Sequence, residues 1–334
     1  MKVLLTGAFG NVGLSTLKEL LKRNHDIRVF DIRTKKNKRL ANKYKKEIEI
    51  VWGDLRDYSC VEKAVSDRDV VIHVAAIIPP LADKKPKFAE SINVGGTANI
   101  IEAIEKQPKK PKLIFTSSIA VYGDRLENPL IRPKDSPNPN SDDEYAKQKL
   151  KCEELIKKSN LEWAIFRLTY IVSLNKLQMD PLMFEMPLNT SIEICDTNDV
   201  GLALANAVNC EEIWGEILHI AGGERCRISY REYLNEMLDI FGIGFEELPE
   251  EAFRQDRGFH CGFMNTDKSQ VLLNYQRYTL DDYFAAVRKK VAFSRFFTTM
   301  FKPIAQKFLL NKSHYYKESL NSHLSESKNY LRKL

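Results

Sequence analysis

Residues 3–13 read VLLTGAFGNVG, an apolar run that passes directly into a Gly-x-x-Gly-x-x-Gly turn. The run is typical of a buried strand, and the residues after the turn have the pattern of a helix. A backbone that turns sharply and approaches a ligand closely favours residues without a β-carbon, here Gly7, Gly10 and Gly13. Free N–H groups at the start of the helix would point towards an anion. The stretch therefore predicts a strand, turn and helix that hold the pyrophosphate of a dinucleotide.

An acidic residue closes the second apolar run. Asp31 lies 18 residues after Gly13, at the end of a predicted strand. A carboxylate at that position accepts hydrogen bonds from an adenosine ribose, and its charge would repel a 2′-phosphate. Arg33, Lys35 and Lys36 follow at once and keep the phosphorylated dinucleotide open, because a nearby arginine can accommodate that phosphate. We therefore predict NAD as the cofactor, with NADP as the alternative.

Strand and helix patterns alternate through the first half of the chain. The strand candidates are rich in Val, Ile and Phe and nearly continuous in apolar residues, as expected for strands buried on both faces. They lie at 3–5, 27–30, 48–52, 70–74, 113–115 and 163–168. The helix candidates lie near 11–23, 37–46, 57–66, 88–106 and 142–158. This order predicts an α/β fold with a Rossmann-type, doubly wound parallel sheet.

The second half of the chain is less regular. A helix near 199–209 and a strand near 216–220 are expected to return to the sheet. The predicted units are a dinucleotide-binding domain over 1–170 with 199–220 returning to it, a smaller substrate lobe over 171–290, and a helical tail over 291–334.

Three residues suggest proton transfer beside the dinucleotide. A free tyrosine titrates near a pH of about 10 and is a poor base at neutral pH, but a nearby cation favours the phenolate. Tyr145 and Lys149 are four residues apart on a predicted helix and share one face. Ser118, at the end of a predicted strand, could hold the reacting oxygen. Tyr145 could then exchange a proton with a substrate hydroxyl or carbonyl while hydride moves to or from the cofactor.

Further short motifs extend this pattern. They are GDL at 53–55, HVAA at 73–76, NVGGT at 93–97, FTSSIAVYG at 115–123, DV at 199–200 and GEILHIAGG at 215–223. With the residues above, they make the chain resemble the extended short-chain dehydrogenase/reductase family, and within it the NAD-dependent epimerase/dehydratase group. The resemblance implies that Asp54 and Leu55 border the adenine, that Ala75 and Ala76 line the cofactor cleft, and that Lys149 also binds the nicotinamide ribose.

The resemblance implies an enzyme and narrows its reaction. Dehydratases of the group carry an Asp-Glu pair after the Ser/Thr, where this chain has Ile119 and Ala120, so dehydration is not expected. Tyr170 stands where nucleotide-sugar epimerases carry an Asn, and Arg257 has the spacing of their pyrophosphate-binding arginine; with Ser118 they are the candidate substrate contacts. We predict an NAD-dependent nucleotide-sugar epimerase. The alternatives are a dehydrogenase or reductase of a smaller carbonyl or hydroxyl substrate, and a non-catalytic dinucleotide-binding regulator.

The charge of the chain is unevenly distributed. Residues 285–334 hold 11 Lys or Arg and 2 Asp or Glu, a net charge of +9, so the other 284 residues carry −3 of the total of +6. Nucleic acid is therefore not expected as a partner. Within 293–310, apolar residues recur at helical spacing between basic ones, and Pro303 is expected to kink the segment. We predict that this face packs on the body or across a dimer; a membrane surface or partner protein is the alternative. Residues 313–334 are polar and Ser-rich, which is typical of disorder.

The remaining sequence features concern location and assembly. The six cysteines are scattered without a Cys-x-x-Cys pair, which predicts free thiols, a cytoplasmic location and no metal site. No long uncharged apolar run and no signal-peptide pattern is present, so neither a spanning helix nor secretion is expected. The family resemblance implies a homodimer that pairs the helices near 88–106 and 142–158.

Overall fold

The structure is a computed structural model that describes residues 1–175, 177 and 180–331, with side chains described as far as Ser322. Its strands are β1 (Lys2–Thr6), β2 (Asp26–Asp31), β3 (Glu49–Trp52), β4 (Val70–His73), β5 (Lys112–Ser118), β6 (Leu130–Ile131), β7 (Trp163–Leu168), β8 (Tyr170–Val172), β9 (Ser191–Asp196), β10 (Ile217–Ile220), β11 (Arg227–Ser229) and β12 (Phe263–Met264). Its helices are α1 (Asn11–Leu21), α2 (Lys35–Ala41), α3 (Tyr58–Val65), α4 (Leu81–Lys84), α5 (Pro86–Glu105), α6 (Glu144–Lys158), α7 (Thr197–Ala207), α8 (Tyr230–Ile240), α9 (Asp267–Leu273), α10 (Leu280–Met300), α11 (Lys302–Leu310) and α12 (His314–Leu331).

The main sheet confirms the predicted Rossmann-type fold. In the described part of the chain it has seven strands in the order β3-β2-β1-β4-β5-β7-β10. Every neighbouring pair is parallel; Leu5 of β1, for example, lies opposite Val29 on one side and Ile72 on the other. The strand order reverses between β1 and β4. A crevice forms at such a switch point, outside the carboxyl ends of the strands, and ligands bind there in open α/β sheets.

Helices cover both faces of this sheet. Val3 and Leu5 belong to a core cluster with Leu17 of α1, whereas Leu4 belongs to a separate cluster of the same domain, with Ile100 of α5. All five side chains are completely buried. Successive residues of a strand point to opposite faces, so a strand covered on both sides must be apolar at every position. This explains why β1 has a continuous apolar sequence instead of an alternating one.

A second hydrophobic core lies towards the C-terminus. It joins β8 and β9 to α8 and α10, and its buried side chains include Phe184, Ile194, Tyr233 and Phe284. The strands β11, β9 and β8 form a separate small sheet, while β10 pairs with β7 in the main sheet. The chain therefore crosses between the two cores more than once, and the boundaries proposed at residues 170 and 290 stay a prediction.

Helix α2 is shorter than expected. The sequence predicted a helix near 37–46, but α2 ends at Ala41. Beyond it, the N–H of Lys43 bonds to the carbonyl of Leu40 and that of Tyr44 to the carbonyl of Ala41, both at 3.0 Å. These bonds span three residues instead of four, so they tighten the chain into turns and end the α-helix.

The prediction of disorder after residue 313 is wrong for most of that segment, because α12 forms there. Its first turn is tied to the body by polar contacts. The Ser313 hydroxyl donates to the carbonyl of Ala252 at 2.6 Å and accepts from the N–H of Tyr316 at 3.1 Å. The Tyr315 hydroxyl donates to Glu185 at 2.9 Å and accepts from Arg254 at 2.6 Å. These tertiary contacts outweigh the polar composition of the segment.

The tail before α12 is helical with a break, as expected from Pro303. Helix α10 ends at Met300 and α11 begins at Lys302. The prediction that its aromatic face packs on the body is wrong: Phe293 is 80% and Phe308 65% exposed. Burial in α10 stops at Val291 because the contact surface of the second core ends there. Across the described residues, none of the helices combines the length and the apolar character that a bilayer span needs.

Candidate active site

A cleft of about 560 Å³ opens at the carboxyl ends of β1, β4 and β5, at the switch point of the sheet. It brings together all of the catalytic and cofactor-binding candidates that the sequence suggested. These lining residues are Gly7, Gly10, Gly13, Asp31, Asp54, Leu55, Ala75, Ala76, Ser118, Tyr145 and Lys149. The candidates come from several separate strands and helices, which meet only because the parallel strands end at the same edge.

The glycine turn after β1 leaves no room for side chains. Gly7 has a φ of +67°, and a β-carbon there would lie 2.8 Å from the Cα of Ala75. A β-carbon on Gly13 would collide with the carbonyl oxygen of Gly7. Helix α1 begins at Asn11, and no side chain caps its N-terminus at Gly10. Its first-turn N–H groups therefore face the cleft without a side-chain acceptor, as an anion-binding turn requires.

Hydrogen bonds orient the carboxylate of Asp31 at the end of β2. One oxygen accepts from the N–H of Phe9 at 2.9 Å. The other accepts from the N–H of Ile32 at 2.8 Å and from the side chain of Asn37 at 3.0 Å. Burial raises the pKa of Asp31, although the two backbone bonds oppose this. Asn37, in the first turn of α2, is a residue that sequence reasoning missed; its only signal is its place six residues after Asp31.

The basic residues after Asp31 are exposed, and of them only Lys36 lines the cleft. Asp54, which also lines the cleft, accepts two hydrogen bonds of 2.6 and 3.0 Å from the side chain of Arg56. This bond with Arg56 holds the pKa of Asp54 below its usual range. The charged residues along this part of the cleft are thus two carboxylates, Asp31 and Asp54, and one lysine, Lys36.

Lys149 lies at the floor of the cleft. Its Nζ donates to the carbonyl oxygen of Thr116 in β5 at 2.7 Å. It lies 4.7 Å from the centre of the Phe115 ring and 5.9 Å from that of Tyr145. Burial lowers the pKa of Lys149 from 10.5 to about 8. A lysine placed in this way carries its charge close to the tyrosine at neutral pH.

The phenol of Tyr145 behaves differently from the sequence expectation. Burial, and next the charge of Asp143, raise the pKa of Tyr145 above its usual range, while a hydrogen bond with Ser118 opposes the shift. The sequence predicted the opposite direction from the proximity of Lys149. Desolvation dominates because the ring sits against the protein interior, where the phenolate is poorly solvated. The phenol of Tyr145 is therefore held in its protonated form.

A buried ion pair behind Ser118 was missed by sequence reasoning. Ser117 donates to Glu153 of α6 at 2.6 Å, and Glu153 in turn binds Arg167 of β7. Glu153 and Arg167 are both buried. Glu153 lies four residues after Lys149, on the same face of α6, and this spacing was the available signal. Glu153 thus connects α6, the helix that carries Tyr145, to β7 through Arg167 and to β5, the strand that carries Ser118, through Ser117.

Two residues of the family motifs stabilise the walls of the cleft. The side chain of Asn93 in α5 accepts a hydrogen bond from the N–H of Ile77 at 2.7 Å and donates one to the carbonyl of Ile77 at 2.9 Å. His73 is buried between Thr6 and Thr97 at 2.8 and 3.2 Å, and burial lowers the pKa of His73 to about 3. Both residues therefore act through the fold.

The structure does not bring Tyr170 and Arg257 to the lining of the cleft. Tyr170 meets Tyr233 edge to face in the second core, with ring centres 6.1 Å apart. Arg257 forms a two-bond ion pair with Asp142, three residues before Tyr145. Neither contact was visible in the sequence, because both join segments far apart in the chain.

Comparison with known proteins agrees with this arrangement. Residues 4–166 match the model of the 3-beta hydroxysteroid dehydrogenase/isomerase family. The chain is 35% identical over 270 residues to a putative UDP-glucose 4-epimerase of Methanocaldococcus jannaschii, covering 73% of this chain and 83% of that protein. It is 29% identical over 161 residues to D-erythronate dehydrogenase of Haemophilus influenzae, covering 47% of this chain and 49% of the relative. The chain thus spans about half the length of several relatives that it matches.

Solved structures share the fold at lower identity. A dTDP-glucose 4,6-dehydratase of Streptomyces venezuelae, with bound NAD, superposes with a TM-score of 0.73 at 21% identity, over 89% of this chain and 98% of that one. UDP-glucuronic acid 4-epimerase of Bacillus cereus, in complex with UDP-glucuronic acid and NAD, gives 0.71 at 20% identity, over 87% and 99%. The fold and cleft define a dinucleotide-binding enzyme class. The chain belongs to the extended short-chain dehydrogenase/reductase family, in its NAD-dependent epimerase/dehydratase group.

Proposed function

We propose that the cleft binds NAD and that the protein is an NAD-dependent epimerase acting at a secondary alcohol. The side-chain-free turn at Gly7 and Gly13 and the open N-terminus of α1 suit a pyrophosphate. Asp31 suits the adenosine ribose, and its negative charge favours NAD over NADP. Lys36 at the same edge is the feature that NADP would use. Asp54 and Leu55 would border the adenine, and Ala75 and Ala76 the middle of the cofactor.

The residues in the cleft divide the reaction between them. Ser118 would hold the reacting oxygen by a hydrogen bond, and Tyr145 would remove its proton as the alcohol is oxidised and return it on reduction. NAD, when bound, accepts a hydride from the carbon and gives it back. Lys149 would favour the phenolate through its charge and bind the nicotinamide ribose through its remaining N–H groups. The observation that carries this proposal is that Ser118, Tyr145 and Lys149 line one cleft with the glycine turn.

We propose a nucleotide sugar as the substrate class. The relative with the longest match among those compared above is named a putative UDP-glucose 4-epimerase, and the Bacillus cereus epimerase binds UDP-glucuronic acid. In this chain, epimerisation would require the oxidised sugar to turn so that hydride returns to its other face. Ile119 and Ala120 provide no carboxylate next to Ser118, so loss of water is not proposed.

A specific observation favours a second candidate, a dehydrogenase or reductase of a smaller substrate. Arg257, the residue proposed for the substrate phosphates, is held by Asp142. In addition, Ile77, Ile78 and Ile171 make part of the cleft wall apolar. D-erythronate dehydrogenase is among the relatives, at 29% identity. On this reading the cofactor would leave after each turnover.

We further propose a homodimer through α5 and α6, in a reducing compartment such as the cytoplasm. The two helices pack against each other, and Leu155 of α6 is an exposed apolar residue that such a contact would cover. All six cysteines are free thiols. Light scattering of the purified chain with and without Leu155→Glu tests the contact; a monomeric wild-type chain would exclude it.

The nucleotide that the purified protein carries tests the leading proposal. The chain is denatured, and the supernatant is assayed enzymatically for NAD and NADP. Stoichiometric NAD, together with interconversion of UDP-glucose and UDP-galactose that retains deuterium placed at C4, supports an epimerase. Reversible binding of added cofactor, with deuterium passed to free NAD, supports the dehydrogenase instead. A chain that binds neither dinucleotide would reject both enzymes.

A further inference from the structure

The strongest unexplained feature lies outside the cleft, on α10 and α11. Seven large apolar side chains there are between 49% and 80% exposed. They are Phe293, Phe296, Phe297, Met300, Phe301, Ile304 and Phe308, and we call them the aromatic face. Apolar groups of this size rarely gather on a surface that meets only water, so a contiguous patch marks an interaction site.

The aromatic face is held outward by contacts on the opposite side of both helices. In α10, Val287 and Val291 are buried in the second core. In α11, Leu309 is buried, and the side chain of Gln306 donates to the carbonyls of Ile243 and Gly244 at 3.0 and 2.6 Å. Because both inner sides are already used, the helices cannot turn to bury the aromatic face on the body.

The charges around the aromatic face indicate which kind of surface it binds. Residues 283–317 contain eight Lys or Arg and no Asp or Glu. Lys302 and Lys307 lie between the apolar side chains of α11, and Lys312 lies 5.1 Å from the centre of the Phe308 ring. Of the eight basic residues, Arg288 forms an ion pair with Glu236 of α8, so the surface is predominantly basic. A surface that is aromatic and basic complements one that is apolar below and negatively charged above, which is the headgroup region of an anionic bilayer.

A second copy of the chain fits this face less well. In a symmetric pair the same patch meets itself, so the lysines and arginines of one copy would approach those of the other. Like charges brought together at an interface disfavour association. From the exposure, the fixed orientation and the charge of the aromatic face, we infer that it docks the protein peripherally on a bilayer containing anionic phospholipid. The inference is independent of the proposed reaction.

Vesicle sedimentation with the full chain tests the inference. Vesicles of phosphatidylcholine alone are compared with vesicles in which part of it is replaced by phosphatidylglycerol, at low and at high salt. The expected result is sedimentation with the phosphatidylglycerol vesicles only, weakened by salt because ions screen the lysines. Binding to neither kind of vesicle, or equal binding to both, would overturn the inference.

Matched variants identify the surface. Phe293→Ser with Phe296→Ser should weaken vesicle binding by about tenfold or more for each ring removed. The control Val271→Ser changes another exposed apolar residue, on α9, and should bind as the wild type does. Thermal unfolding of each variant checks that the fold is retained, as expected for exposed positions.

A charge reversal completes the comparison. Lys302→Glu with Lys307→Glu should abolish the preference for phosphatidylglycerol, whereas Lys45→Glu with Lys46→Glu, at exposed positions near α2, should keep it. If neither the phenylalanine nor the lysine variants change sedimentation, the face does not bind lipid. A wild-type dimer that Phe293→Ser with Phe296→Ser dissociates, without vesicle binding, would show that a second copy covers the face.

Discussion

The guanidinium of Arg167 forms two hydrogen bonds with the carboxylate of Glu153, Nε to Oε1 at 2.9 Å and Nη2 to Oε2 at 2.6 Å. Both side chains are buried, and Glu153 also accepts from Ser117. Arg167 donates further to the hydroxyl of Tyr122 at 2.6 Å. Together with Ser117, the pair therefore joins β7, α6 and β5 behind the proposed catalytic residues.

Replacing only one member of the Glu153–Arg167 pair should lower the free energy of unfolding more than replacing both members. Glu153→Leu leaves the buried charge of Arg167 uncompensated and should lower the free energy of unfolding by about 3–5 kcal/mol. Adding Arg167→Met should recover much of this loss, because no unpaired charge remains. Urea unfolding of both single variants and the double variant measures the coupling; strictly additive losses would show that the pair is not energetically linked.

Tyr145→Phe removes the proton-transferring hydroxyl and keeps the ring. Turnover should fall by about 10²–10⁴-fold, while the amount of bound NAD stays unchanged. Tyr278→Phe, at a tyrosine that is exposed and not among the residues lining the cleft, serves as the control. Turnover of Tyr145→Phe equal to that of the wild type would reject the proposed mechanism.

Two glycine substitutions distinguish a glycine that lies too close to backbone for a side chain from a glycine that has free space around it. Gly13→Ala places a methyl group against the carbonyl of Gly7 and should abolish NAD binding and lower stability by about 1–3 kcal/mol. Gly95→Ala, in the middle of α5, meets nothing within 4 Å and should raise stability by about 0.5–1 kcal/mol. Equilibrium binding of NAD and denaturant unfolding measure both effects. Normal NAD binding by Gly13→Ala would show that the turn does not approach the cofactor.

The buried charge of Lys149 predicts a pH dependence of stability. The pKa of Lys149 is about 8 in the folded chain against its ordinary 10.5, so between these values the unfolded chain binds a proton that the folded chain does not. Stability therefore rises with pH across this window. Relative to Lys149→Met, the wild type should gain up to about 3 kcal/mol as the pH rises from 8 towards 10.5. Parallel stability curves for the two chains would contradict the shifted pKa.

Some site features followed from local sequence and others did not. The glycine turn was predictable because its constraint lies within seven successive residues, and Asp31 because strand lengths fix where it falls. Glu153 and Arg167 were not, since their pairing depends on how α6 packs across β5 and β7. The burial that raises the pKa of Tyr145 was not predictable either, because burial of a phenol depends on every segment around it.

The C-terminal tail likewise has features that the sequence predicted and features that it did not. Periodicity predicted helices and a break near Pro303, but it could not decide which side of those helices the body would cover. Composition suggested disorder after residue 313, and the contacts of Tyr315 with Glu185 and Arg254 decided for a helix.

The sequence by itself predicted the parallel sheet, the glycine turn and the candidate catalytic residues that line the cleft. These depend on apolar periodicity, on the absence of a β-carbon and on short fixed spacings, all of which act between neighbours in the chain. Only the tertiary structure decided that Arg257 binds Asp142, that Tyr170 packs against Tyr233 and that the aromatic face stays exposed. Those outcomes depend on how segments that are far apart in sequence pack against each other. This packing decides which side chains are buried and which charged groups come into contact.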